Sequence, residues 1–96
     1  MSATILIVED DAGLREAIVD TLSLSDYLVV EADSGEAALL LLKKQTVDLV
    51  LTDVQMGGMN GLMLLRSLRA HHPDLPVILM TAFGTIHDAV DALICV

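Results

Sequence analysis

The chain has 96 residues, 54% of them apolar, and a net charge of −9. That length suits one small domain with one core, the acidic balance argues against a nucleic-acid surface, and no apolar run reaches the length of a membrane span. The start, Met1 to Asp11, lacks a basic region and a cleavage site, and the single cysteine, Cys95, excludes an internal disulfide, so a reducing, cytoplasmic setting is expected.

Ala3 to Val8 is a continuous apolar run, which reads as a buried strand, and it ends on Glu9, Asp10 and Asp11. Leu14, Ile18 and Leu22 then recur every fourth residue with Ala17 beside them, the mark of one apolar helix face. Tyr27 to Ala32 is a second strand. Asp33 or Ser34 caps the next helix, with Glu36 in its first turn and Lys43 and Lys44 in its last, both favourable to the helix dipole. Leu49, Val50 and Leu51 lead a third strand into Asp53, and the glycines at 57, 58 and 61 follow as turn residues. A helix from about Leu62 to Ala70 is closed by His71, His72 and Pro73. Val77 to Thr81 is a fourth buried strand, and Thr85 with Asp88 can cap a last helix running to the C-terminus.

Strand followed by helix, four times over, calls for an α/β fold: a parallel sheet with helices on both faces. In such sheets the reactive groups sit at the carboxyl ends of the strands. If the first and third strands are neighbours, Glu9, Asp10 and Asp53 meet at one rim, and Thr81 reaches the same rim from the fourth strand. Three carboxylates held together repel one another, and a divalent cation relieves that repulsion. Oxygen-only ligands suit Mg²⁺ or Mn²⁺ rather than zinc. A metal beside an aspartate also suits phosphoryl transfer onto that aspartate, with Thr81 and loop N–H groups holding phosphoryl oxygens. Each member has a plainer reading by itself. Asp10 or Asp11 can be a helix N-cap, Asp53 a loop carboxylate on backbone N–H groups, and Thr81 an ordinary strand end. His71 and His72 fit the helix C-terminus better than a metal site. Cys95 reads as an apolar-side residue, and Met56 and Met59 as loop packing.

The stretches Ile5 to Asp11, Leu49 to Gly61 and Pro76 to Ala82 together resemble the receiver domain of bacterial two-component response regulators, in order and at the family's spacing. Within the family the chain is most similar to receivers of nitrogen-regulation-type enhancer-binding activators, flagellar regulators among them. The resemblance implies a flavodoxin-like, doubly wound parallel sheet with strand order 2-1-3-4 across residues 1–96. It implies that Asp53 accepts phosphate from a sensor histidine kinase and that Thr81 contacts the phosphoryl group as a switch. It also implies that Mg²⁺ is held by Glu9, Asp10, Asp53 and the backbone carbonyl of Gln55. A transcriptional output would follow, with no enzymatic turnover beyond transfer to Asp53 and slow loss of that phosphate.

Two departures stand out. Where the family usually has proline, this chain has Gly57, so a looser loop is expected. The family's fifth strand and helix, with a lysine that pairs with the phosphoryl group, have no counterpart: no Lys or Arg follows Arg69. The domain is thus expected to be C-terminally incomplete. The uncovered fourth strand or the last helix would then support self-association. Two other readings compete. A phosphohydrolase with an aspartate nucleophile would carry a second aspartate where this chain has Gln55, and no P-loop motif is present. A pseudo-receiver would serve as an interaction or dimerisation module without phosphorylation.

Overall fold

The computed structural model describes residues 2–80. In chain order these form β1 (Thr4–Val8), α1 (Ala12–Ser23), β2 (Leu28–Ala32), α2 (Gly35–Leu42), β3 (Leu49–Asp53), α3 (Gly61–His71) and β4 (Val77–Met80). The strands pair in parallel in the order β2-β1-β3-β4, as expected. In register, Val8 faces Ala32 on one side and Thr52 on the other, and Asp53 faces Met80. Thr81, the last helix with Thr85 and Asp88, and Cys95 lie outside the described residues.

Period-two alternation sorts each strand between the two faces of the sheet. Leu6, Val8, Ala32, Val50 and Val77 join Ala38 and Leu42 of α2 and Leu64, Leu65 and Leu68 of α3 in one buried cluster. Ile5 and Ile7 are buried without entering that cluster, and α1 packs over β1 and β2. The helices therefore lie on both faces of the sheet.

Local chemistry sets the helix starts. Asp11, Ser34 and Asn60 each hold extended backbone and accept a bond from the N–H three residues on, at 2.9–3.0 Å. The first two settle the alternatives left open by sequence: the cap is Asp11 rather than Asp10, and Ser34 rather than Asp33. Four expectations shift. Leu14 and Ala17 are exposed, because α1 turns Arg15, Ile18, Val19 and Leu22 inward instead. Lys43 and Lys44 fall just past α2, with Lys43 as its C-cap. Tyr27 precedes β2, since the chain turns at Asp26 with φ of 65° before pairing begins at Leu28. β4, read as a buried strand, has only Val77 fully buried and Ile78 is 42% exposed, while its place at the sheet edge among the described residues is the one the order 2-1-3-4 implies.

Candidate metal and phosphoacceptor site

The carboxyl ends of β1 and β3 build the site. The Glu9 N–H donates to the Ala32 carbonyl at 3.1 Å, so the β1–β2 ladder runs one residue past β1 and fixes where the acids begin. Asp11 is occupied as the α1 cap, which leaves Asp10 exposed at the rim. On the next strand, Asp53 is the last residue of β3 and is buried. Its Oδ1 accepts the Gln55 N–H at 3.1 Å, which turns the chain away from the sheet directly after the strand. Because Val8 pairs with Thr52, Glu9 and Asp53 end level with one another. Glu9, Asp10 and Asp53 each offer a carboxylate oxygen, and these atoms lie within 4.8 Å of one another.

The buried member is under electrostatic tension. Glu9 is only 2% exposed, its Oε1 accepts the Asp11 N–H at 3.3 Å, and its Oε2 is buried without a hydrogen-bond partner. Its pKa is raised from 4.5 to about 7. Burial is the main cause, and the nearby Asp53 carboxylate also favours the protonated form. Asp10 repels as well, while the bond from Asp11 works in the opposite direction. An orphaned buried carboxylate oxygen facing two more carboxylates is a donor set that fits a hard, oxygen-seeking cation. Mg²⁺ or Mn²⁺ there would neutralise the cluster and the charge on an incoming phosphoryl group.

The β3–α3 loop is tied down more firmly than its two glycines suggest. The Gly57 N–H, a donor that proline would lack, binds Asp10 Oδ2 at 3.1 Å. Gly58 has φ of 74°, where a side chain is disfavoured. Met59 packs against Gly35, whose hydrogen leaves room for it: a Cβ there would lie 2.7 Å from its sulfur. Gln55, Met56, Gly57 and Asn60 line an open depression beside Asp10. His71 and His72 close α3, as expected, and neither belongs to the acidic group.

Two contributors escape a reading of the sequence alone. Gly61 opens α3 with its N–H on the Val54 carbonyl at 3.0 Å. A Cβ on it would meet the Asp53 carbonyl oxygen. A glycine directly after an N-cap asparagine was the available signal, since caps do not require one there. The other is Arg15, the sole basic residue before Lys43. Its place on α1 gives no hint that it reaches back to the site.

Known proteins share this arrangement. The model of the response regulator receiver domain matches residues 5–95. The response regulator protein FleR of Pseudomonas aeruginosa is 50% identical over 93 residues, which is 97% of this chain and 20% of FleR. The transcriptional regulatory protein GlrR of Escherichia coli is 41% identical over 90 residues, 94% of this chain and again 20% of the relative. The chain thus spans about one fifth of the length of these curated relatives. Among solved structures, a response regulator receiver protein from Pseudomonas putida superposes with a TM-score of 0.87 at 32% identity, covering 99% of this chain and 80% of that one. With three converging carboxylates on a 2-1-3-4 parallel sheet, the chain belongs to the receiver domains of two-component response regulators.

Proposed function

We propose that Asp53 is the phosphoacceptor of this receiver, taking its phosphoryl group from the phosphohistidine of a sensor histidine kinase. A carboxylate oxygen of Asp53 would attack phosphorus, the phosphorus–nitrogen bond would break, and the pair of electrons would return to the imidazole. Glu9, Asp10, Asp53 and the Gln55 backbone carbonyl would hold the Mg²⁺ that screens charge during this exchange. Thr81, at the end of the fourth strand, would contact the transferred group as the switch residue. The observation that carries this reading is the convergence of three carboxylates from two strands, one of them with a buried, unpartnered oxygen.

The module signals rather than turning over a substrate. It would work in the cytoplasm, consistent with the lack, among the described residues, of any helix long and apolar enough to cross a membrane. It would govern a transcriptional output, with no nucleic acid bound by this domain itself, and would associate with copies of itself through the β4 edge. A second reading, an unphosphorylated interaction module, draws support from Gly57, which stands where the resemblance places a proline.

Intact mass after incubation with Mg²⁺ and acetyl phosphate separates the two. The expected result is one phosphoryl adduct, absent from Asp53→Asn and absent without metal. A folded protein that gains no adduct overturns the phosphoacceptor reading.

A further inference from the structure

We infer that Arg15 is a positioning residue that fixes the acidic rim from behind, by clamping the main chain of Glu9. This rests on the metal reading above. Arg15 Nη1 donates to the Glu9 carbonyl oxygen at 2.8 Å, and its Nε donates to Glu31 Oε1 at 3.2 Å. One guanidinium therefore joins α1, the end of β1 and β2. Its side chain is 21% exposed, while that of Glu31 is 50% exposed. The bond to the carbonyl is accordingly the more shielded of the two.

The effect on the site follows from peptide geometry. The Glu9 N–H is held by the Ala32 carbonyl, and the Glu9 carbonyl is held by Arg15. Both peptide planes flanking Glu9 are then fixed. The second of these planes also contains the Asp10 nitrogen and Cα, so it fixes the point at which the Asp10 side chain is rooted. The Glu9 side chain is bonded in turn to the next N–H, at Asp11. An acid at the end of a strand, before a helix, would otherwise swing with its loop. Arg15 reduces that freedom in the main chain of Glu9 and Asp10 without touching either carboxylate, while the Gly57 N–H holds the Asp10 carboxylate from the loop side.

A planar, forked donor suits this task, because it reaches a carbonyl and a carboxylate at once, which a lysine ammonium cannot do in the same geometry. The charge of Arg15 works against a cation at the rim, although its pairing with Glu31 offsets that field. Clamp and field therefore give opposite signs when Arg15 is removed.

Mn²⁺ affinity, read by electron paramagnetic resonance of the free ion, decides between them. Arg15→Met should weaken Mn²⁺ binding by about tenfold, the usual cost of losing an outer support of a metal site, and Arg15→Lys should weaken it less. The Arg15→Met/Glu31→Met double variant keeps the net charge of the parent and should remain as weak as Arg15→Met. Amide exchange of the metal-free protein, followed by NMR, should rise at Glu9 and Asp11, whose N–H groups are bonded to the Ala32 carbonyl and the Glu9 carboxylate, in Arg15→Met, with the exchange of β3 unchanged. Tighter Mn²⁺ binding in Arg15→Met, or parental affinity in the double variant, would overturn the inference. If the parent bound no Mn²⁺, the metal reading itself would fall, and unchanged exchange at Glu9 and Asp11 would dispose of the clamp separately.

Discussion

A Cβ added at Gly61 would fall on the Asp53 carbonyl oxygen and 2.9 Å from the Val54 Cα, both backbone atoms that have nowhere to retreat. Gly61→Ala should therefore cost about 2 kcal/mol, within the range for overpacking a filled site. Urea unfolding would measure it, and an unchanged midpoint would show that α3 can back away from β3. Gly13→Ala is the control, because its nearest neighbour is the Asp11 Oδ1 at 3.4 Å, an ordinary contact. At this scale the sequence was legible for the acids and mute about their supports. Glu9, Asp10 and Asp53 announce themselves because carboxylates at successive strand ends are chemically conspicuous. Gly61 and Arg15 do not, since a turn glycine and a charged helix residue have common explanations that need no site. Only the three-dimensional approach of α3 to β3, and of α1 to the end of β1, gives these two a purpose.

Among the elements, the strands were readable from continuous apolar runs bounded by turn residues, and the helices from fourth-residue spacing and their caps. Cap identity was not. Asp10 and Asp11 are equally good cap residues by chemistry, and what separates them is which one the β1–β2 ladder leaves at the start of α1. The inward face of α1 was also misjudged at Leu14 and Ala17, since single apolar residues on a surface are common and spacing alone does not exclude them. β4 provides the test at this scale. It is the sheet edge among the described residues, with Ile78 exposed, and an apolar edge invites strand pairing with another chain. Light scattering at micromolar concentration should find a self-associated species. Ile78→Lys, which sets a charge on that edge, should shift it toward monomer. A parent that is monomeric and folded throughout would remove the idea of edge association.

For the molecule as a whole, the raised pKa of Glu9 ties stability to pH. The unfolded chain ionises this group near 4.5, whereas the fold resists its ionisation until about 7. The stability contributed by Glu9 is fully present below pH 4.5 and is lost as the pH rises through about 7 in metal-free protein. Thermal melts in chelator should show this decline, and Glu9→Gln should flatten it. Adding Mn²⁺ should raise the melting temperature more near pH 7 than near pH 4.5, because the cation replaces the proton. Equal shifts at both values would mean that the metal does not compete for Glu9. The pairing of Val8 with Thr52 has a wider consequence. Glu9 and Asp10 leave the ribosome long before Asp53, and they meet it only when β1 and β3 align. A slip by one residue along either strand would turn the acceptor to the opposite face. If Asp53 is the phosphoacceptor, as proposed, capture of a phosphoryl group would report that the chain has folded in register, and a misassembled copy would stay silent to a kinase.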